Sequence, residues 1–187
     1  MSKIGFGIDV GGSGIKGARV DLETGEFVGD RIKILTPKPA TTDAVAETIV
    51  AILNQAEWDG PVGITLPSVV KNQHAHTAAN IDPSWVNTDL TELFSRHLPE
   101  RRVHVLNDAD AAGLAEVKFG HPDASHGSVI MLTFGTGIGS AFFQDGVLFP
   151  NTELGHLAFK NSEVEKYASS AVKDNEELSY TQWAKRV

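Results

Sequence analysis

The chain has 187 residues, of which 41% are hydrophobic and 21% are charged, a composition typical of a globular protein with one domain or two small ones. Its formal net charge of −8 argues against a nucleic-acid-binding protein, because a phosphate backbone attracts clustered lysine and arginine. The sequence contains no cysteine, which excludes disulfides, thiolate catalysis and cysteine-ligated zinc.

The first nine residues contain one lysine and are interrupted by Gly5 and Gly7, which is not the pattern of a signal peptide. No apolar run approaches the length of a membrane span. We therefore expect a cytoplasmic protein whose partners include neither nucleic acid nor membrane.

The first half of the chain alternates short apolar runs with turn signals. Glycines at 11–14 and the pair Thr24–Gly25 separate the first three runs, which indicates three consecutive antiparallel strands. A helix capped by Thr41 or Thr42 follows, and Pro67 ends the next strand. Residues 68–87 are polar and indicate a loop. The predicted strands are 3–10, 15–21, 27–35, 61–66 and 102–106, and the predicted helices are 43–58, 89–98 and 109–119.

The second half repeats the opening pattern in outline. Strands are predicted over 128–134, 140–144 and 147–149, with a glycine turn at 135–139 between the first two. The repetition suggests two related lobes, residues 1–107 and 108–187, with a cleft between them. Helices are predicted over 163–173 and from Ser179 or Thr181 to Val187. Because Trp183 of the last helix should face inward and needs a surface to pack on, we expect the complete protein to be longer.

The segment from Asp9 to Gly14 lies on the first strand-to-strand turn. Consecutive glycines let a ligand approach the backbone and can direct N–H groups at an anion. Asp9 could hold Mg²⁺ through water, and Lys16 could reach a transferring phosphate. A tight turn that requires positive φ explains the segment equally well. No helix follows, so a dinucleotide fingerprint is excluded, and the Walker spacing is absent.

The segment Gly135-Thr136-Gly137-Ile138-Gly139 is a second turn of this kind. By itself, a glycine-rich hairpin is the commoner explanation. Two such turns at matching positions of two lobes are what we expect if both lobes contribute to binding a phosphate chain.

Asn107 and Asp108 lie where a strand meets a helix. Either residue could be the helix N-cap, which is the commoner role of an isolated Asn-Asp pair. The functional alternative is that Asp108 accepts the proton of a sugar hydroxyl as it attacks phosphorus.

Glu153 and His156 flank a glycine in a polar loop and offer the planar hydrogen-bonding groups that bind sugars. Asn80, Trp85 and Asn87 of the earlier loop are similar candidates. Each of these residues also has a simple structural explanation, which is a helix cap, a buried aromatic side chain or a solvated loop.

Together these motifs resemble the ROK family (repressors, open reading frames, kinases) of actin-like sugar kinases. The four family motifs occur in order as DVGGSGIK, NDADAAGLAE, GTGIG and ELGH, beginning at Asp9, Asn107, Gly135 and Glu153. The strings TLPSVV, NTELGHL, YASS and YTQWAKRV are similar to the polyphosphate glucokinase subfamily of actinobacteria.

The resemblance implies an α/β, two-lobed, actin-like (ribonuclease H-like) fold whose second lobe is incomplete in this chain. It implies phosphoryl transfer from polyphosphate, with ATP as a second donor, to the 6-hydroxyl of glucose, with Asp108 as general base and Mg²⁺ held near Asp9 through water. The implied sugar ligands are Asn80, Asn107, Asp108, Glu153, His156 and Glu165. The implied phosphate ligands are Gly11, Gly12, Ser13, Lys16, Gly135, Thr136, Gly137 and Gly139. Relatives are commonly homodimers, which implies a homodimer for the complete protein.

Two departures from the family pattern qualify these expectations. Many relatives carry a cysteine-rich zinc site in which the histidine of the Glu-x-Gly-His motif is a ligand, so we expect no zinc here and leave His156 to the sugar. Relatives also continue beyond the position of Val187.

The alternatives to a polyphosphate glucokinase are an ATP-dependent kinase for mannose or fructose, an inactive sugar-binding fragment and a sugar-sensing regulator. The last would need a DNA-binding module, for which we expect no room before Asp9.

Overall fold

The computed structural model describes residues 3–78 and 81–187, so the predicted sugar ligand Asn80 lies outside the described residues. The chain divides into two compact units, Met1–Ala111 and Ala112–Val187. The division falls inside a helix, after Ala111, whereas the predicted boundary precedes Asp108.

The first unit is built on a five-stranded sheet. Its main elements are β1 (Ile4–Val10), β2 (Ile15–Asp21), β3 (Phe27–Ile34), α1 (Thr42–Gln55), β4 (Val62–Leu66), β5 (Val70–Lys71), β6 (His74–Ala75), β7 (Thr88–Asp89), α2 (Leu90–His97), β8 (Val103–Asn107) and the start of α3 (Asp108–Phe119). The strand order is β3-β2-β1-β4-β8. The opening three strands are antiparallel, as predicted, and β4 and β8 continue the sheet in parallel. Parallel pairing needs crossover connections, which the segments containing α1 and α2 provide.

The core of this unit lies between the sheet and its helices. Alternate residues of β1 and β4 point to one face, and Val45, Ile49 and Leu53 of α1 are fully buried. Each such side chain contributes roughly 1.5–3 kcal/mol when it leaves water. A Cβ at Gly17 would lie 2.5 Å from Ile52, so glycine lets the helix pack closely on β2.

Helix α1 is shorter than predicted. Thr41 is its N-cap and accepts a hydrogen bond from the Ala44 N–H at 3.4 Å. The helix ends at Gln55, and Glu57 adopts a left-handed conformation with φ 49°, which helical periodicity alone does not reveal.

The predicted loop over 68–87 contains regular structure, which corrects the sequence reading. The short strands β5, β6 and β7 form an antiparallel sheet in that order. A 3₁₀ turn over Pro83–Trp85 buries the Trp85 indole completely, and its Nε1 donates to the Ala40 carbonyl at 2.9 Å. Trp85 is therefore a core aromatic residue. The three strands were missed because two residues are too few to show a period-2 pattern.

The second unit contains the remainder of α3 and a three-stranded antiparallel sheet. Its further elements are β9 (Ser128–Phe134), β10 (Ile138–Gln144), β11 (Val147–Phe149), β12 (Ala158–Phe159), β13 (Ser162–Glu163), α4 (Glu165–Ala168), α5 (Ser170–Asn175) and α6 (Tyr180–Trp183). The sheet order is β11-β10-β9, and β12 and β13 form a separate hairpin. A Cβ at Gly113 would lie 2.6 Å from Ala141, so this glycine brings α3 close to β10.

The predicted helix over 163–173 is wrong, because the segment forms a strand end and two short helices. Ser169 has extended backbone, with ψ 161°, and its hydroxyl caps α5 by accepting from the Val172 N–H. Trp183 faces inward, as predicted, and finds its partners within this unit. Its Nε1 donates to the Ala168 carbonyl at 2.8 Å, and its ring meets Phe134 edge-on at 5.4 Å.

Within the described ranges, no helix combines the length and the apolar character that crossing a bilayer would require.

Candidate functional site

Asp9 is held at the end of β1 by residues from the two neighbouring strands. The antiparallel register places Lys16 of β2 opposite it, and the ammonium lies 2.9 Å from Asp9 Oδ2. The parallel register places Thr65 of β4 on its other side, and the Thr65 hydroxyl donates to Oδ1 at 3.3 Å. Both oxygens of this carboxylate are thus oriented by side chains, although about half of the Asp9 side chain remains accessible. The sequence reading missed Thr65, because parallel register leaves no local signal.

The first glycine turn is not explained by positive φ. Positive φ occurs at Gly25, Gly29, Gly127 and Gly146, and none of the glycines of this turn is among them. The Gly11 N–H donates to the Gly14 carbonyl at 3.2 Å, and the Thr36 hydroxyl donates to the Gly11 carbonyl. A Cβ at Gly12 would meet no atom within 4 Å. Gly12 therefore borders open space, which a closely approaching ligand would need.

A small cavity of about 120 Å³ adjoins this turn. Gly11 and Gly12 of the turn line it, together with Thr36 and Lys38 of the connection after β3. Lys38 is the cationic residue of this lining, and the sequence reading did not single it out because it lies in a proline-rich connection.

Asn107 and Asp108 share the start of α3. The buried Asn107 side chain caps the helix, since its Oδ1 accepts from the Asp110 N–H at 3.0 Å while Nδ2 donates to the Ser68 carbonyl at 3.2 Å. The capping role foreseen as an alternative therefore falls to Asn107. Asp108 accepts from the Ala109 N–H at 2.8 Å.

The pKa of Asp108 is raised above its usual value. The main cause is desolvation by the atoms packed around the carboxylate, although the residue as a whole is exposed at the surface. The negative charge of Asp9 raises this pKa further, whereas the Ala109 hydrogen bond opposes the change. Asp108 thus combines a raised proton affinity with access to solvent, which suits a base that must take a proton from a bound molecule.

The second glycine turn joins β9 to β10 and is fastened to the C-terminal helices. The Gly135 carbonyl accepts from the Ala171 N–H at 3.0 Å, and the Glu165 carboxylate accepts from the Ile138 N–H at 3.4 Å. A Cβ at Gly137 would lie 2.2 Å from Glu165 Oε2, so this glycine admits the buried carboxylate. A Cβ at Gly135 would meet no atom within 4 Å, as at Gly12.

Glu165 is a buried carboxylate with a charged partner. It is only 5% exposed, and Oε1 accepts from the Lys166 ammonium at 2.8 Å. This hydrogen bond is the main cause of the raised pKa of Lys166, followed by the charge of Glu165.

The Glu-x-Gly-His motif forms a 3₁₀ turn that lies against β10. Glu153 is left-handed with φ 47°, and the Leu154 N–H donates to the Ser140 hydroxyl at 2.9 Å. A Cβ at Gly155 would lie 2.1 Å from the Ile138 carbonyl oxygen, so the motif requires glycine for close backbone approach. His156 Nε2 then lies 3.6 Å from Glu153 Oε2.

His156, Glu163 and Glu165 each offer a ligand atom within 4.8 Å of the others. Imidazole and carboxylate groups bind zinc and other divalent ions. The Lys166 ammonium already forms an ion pair with Glu165, and its positive charge disfavours a metal ion at the same carboxylate. The absence of zinc stays a prediction.

The structure thus assembles the predicted residues in two groups. Asp9, Lys16 and Asp108 come together in the first unit, and the second unit joins Glu165 to the second glycine turn and His156 to Glu153. The individual roles assigned to these residues stay predictions.

A sequence profile of the ROK family matches residues 5–171. The chain belongs to the ROK family. The polyphosphate glucokinase of Mycobacterium tuberculosis (strain CDC 1551 / Oshkosh) is 54% identical over 183 residues, which cover 98% of this chain and 69% of that protein.

Two solved structures share the fold. The inorganic polyphosphate/ATP-glucomannokinase from Arthrobacter sp. strain KM gives a TM-score of 0.90 at 43% identity and covers 98% of this chain and 75% of its own. A ROK family glucokinase from Streptomyces griseus, in complex with glucose and AMPPNP, gives 0.76 at 28% identity and covers 89% and 57%. The predicted family, the likeness to polyphosphate glucokinases and the actin-like α/β fold are confirmed, and the chain covers only part of each relative.

Proposed function

We propose that this chain carries the catalytic core of a glucokinase that transfers a phosphoryl group from polyphosphate, and from ATP, to the 6-hydroxyl of glucose. The observation that carries the proposal is Asp108, a solvent-accessible carboxylate of raised pKa beside the Asp9–Lys16 pair. The similarity of this chain to the polyphosphate glucokinase and to the polyphosphate/ATP-glucomannokinase supports both donors.

In this proposal Asp108 accepts the proton of the sugar hydroxyl as the oxygen attacks phosphorus. Phosphoryl transfer depends mainly on positioning and on charge stabilisation, so one carboxylate is sufficient as base. Burial and the neighbouring Asp9 raise its proton affinity, which favours acceptance of the proton.

Each glycine turn is a proposed phosphate site of its own unit. Gly12 and Gly135 border open space, which supports close approach of phosphate oxygens to the backbone N–H groups. Lys16 would exchange part of its contact with Asp9 for a donor phosphate. The remaining proposed donor ligands are Gly11, Ser13, Thr136, Gly137 and Gly139.

Magnesium fits Asp9 through water better than by direct contact. The carboxylate is the type of oxygen ligand that Mg²⁺ prefers, but Lys16 and Thr65 already approach one oxygen each. When bound, the ion would neutralise charge on the donor phosphates.

Asn80, Asn107, Glu153, His156 and Glu165 would hold the sugar ring. The grouping of Glu153 with His156 supports this assignment. The Asn107 amide donates to the Ser68 carbonyl, and this contact helps to orient its side chain.

The test is a coupled assay of glucose 6-phosphate formation with polyphosphate and with ATP. Asp108→Asn should lower kcat by about 10²- to 10⁴-fold with either donor, which is the usual contribution of general base catalysis, while glucose still binds. The matched control is Asp123→Asn, whose side chain is 94% exposed, and it should leave kcat unchanged. An Asp108→Asn protein with undiminished kcat, or a version extended to the length of its relatives that is inactive with both donors, would contradict the proposal.

Mannose is a second candidate acceptor, because the Arthrobacter relative at 43% identity is a glucomannokinase. Comparing kcat/KM for glucose, mannose and fructose separates the possibilities. A kcat/KM for mannose equal to or above that for glucose would replace the glucose assignment.

A further inference from the structure

The Glu163 carboxylate lies next to the His156 imidazole, and the proposed function gives Glu163 no role. It ends β13 of the β12–β13 hairpin, and its Oε2 lies 3.3 Å from His156 Nδ1. The hairpin is closed next to this point by the Val164 N–H, which donates to the Leu157 carbonyl at 3.0 Å. The backbone therefore places Glu163 beside the histidine.

The contact determines which ring nitrogen carries the proton. Both ring nitrogens face a carboxylate, but Nδ1 is the closer, at 3.3 Å from Glu163 against 3.6 Å between Nε2 and Glu153. Because an ionised carboxylate can only accept a hydrogen bond, this shorter contact assigns the proton of a neutral ring to Nδ1. A neutral ring then has an unprotonated Nε2, the atom that lies on the side of Glu153, 3.6 Å from its carboxylate.

We infer that Glu163 is a positioning residue, which fixes the Nδ1–H tautomer and the ring orientation of His156 so that Nε2 accepts a hydrogen bond from a sugar hydroxyl. Carboxylates orient imidazoles at metal sites in the same manner. The sugar part of the inference rests on the proposed function, whereas the tautomer part does not.

Glu163 is expected to act by orienting the His156 ring and not by stabilising the fold through an ion pair. The side chains of His156 and Glu163 are 34% and 43% exposed, and ion pairs at such positions contribute little to stability. The measurable consequence is therefore expected in the imidazole and in sugar affinity.

The first measurement is ¹⁵N NMR of the imidazole nitrogens in the full chain at mildly alkaline pH. His156→Gln assigns the signals by removing one set. We expect Nδ1–H in the wild type and in Glu163→Gln, whose amide oxygen can still accept. Glu163→Ala should shift the ring toward Nε2–H.

The second measurement is glucose affinity by calorimetry. Glu163→Ala should weaken binding by about 3- to 10-fold, corresponding to one lost hydrogen bond, and Glu163→Gln should restore most of it. Ser162→Ala is the matched control, since Ser162 is the exposed neighbour on the same strand and should leave affinity unchanged. Thermal melting checks that each variant is folded.

The outcomes separate the two proposals. An unchanged tautomer in Glu163→Ala, or a wild-type Nδ1 that carries a stoichiometric metal ion instead of hydrogen, overturns the role of Glu163. A wild-type chain with the Nδ1–H tautomer but no affinity for glucose preserves the positioning role and refutes the sugar site.

Discussion

Replacing Gly12 by alanine separates the two explanations of the first glycine turn. If the turn required glycine for its conformation, alanine would destabilise the fold. The structure indicates the opposite, since Gly12 does not have positive φ and an added Cβ would meet no atom within 4 Å.

The expected magnitudes follow from this geometry. Alanine restricts the unfolded chain, which should stabilise the fold by about 0.4–1 kcal/mol. For a chain of this size, that raises Tm by roughly 1–4 °C. In the complex, the methyl group would occupy space next to the N–H. Losing one hydrogen bond to a charged phosphate costs about 1.5–3 kcal/mol, or roughly 10- to 100-fold in kcat/KM for the donor.

The assay measures kcat/KM for polyphosphate and ATP, together with glucose affinity and melting. Gly63→Ala is the control, because its added Cβ would meet only the Phe6 carbonyl oxygen at 4.0 Å. Both variants should melt at or above the wild-type temperature, and only Gly12→Ala should lose donor kcat/KM. Unchanged donor kinetics in Gly12→Ala would refute the idea that the open space receives phosphate.

Three further predictions concern other parts of the two units. Gly155→Ala should destabilise the fold by about 1–3 kcal/mol, because its Cβ would lie 2.1 Å from the Ile138 carbonyl oxygen, and an unchanged melting temperature would contradict this packing. Thr65→Val removes the hydroxyl that orients Asp9, so KM for the donor should rise several-fold with little change in Tm; unaltered donor kinetics would rule out this orienting role. Burial raises the pKa of Asp108, so the folded chain binds this proton more tightly than the unfolded chain. This carboxyl therefore contributes stability at acidic pH that is lost as pH rises from its unfolded to its folded pKa. Asp108→Asn should accordingly be more stable than the wild type only above that range, and parallel urea-midpoint profiles from acidic to neutral pH would disprove the shift.

Local sequence signals predicted the features that depend on neighbours along the chain. Apolar runs separated by turn residues gave the three opening strands and the repeat of this pattern after α3. The hairpin between β1 and β2 then pairs Asp9 with Lys16, because a short turn fixes antiparallel register. The Asn-Asp pair likewise marked the junction of β8 and α3.

Features that depend on distant contacts were missed or mistaken. The helix predicted over 163–173 breaks at Ser169, where a hydroxyl cap competes with continuous helical hydrogen bonding. Trp85 could be a sugar platform or a core residue on sequence grounds, and packing places it in the core.

The amino-acid sequence by itself determined the family, the order of the main strands and helices, and the glycine turns with their flanking Asp9, Asp108 and His156, because turn chemistry and periodicity act over a few residues. The tertiary structure alone decided that Thr65, 56 positions away along the chain, holds Asp9, and that Glu163 meets His156. Parallel register and loop packing follow from burial of the whole core, which has no local signature in the chain.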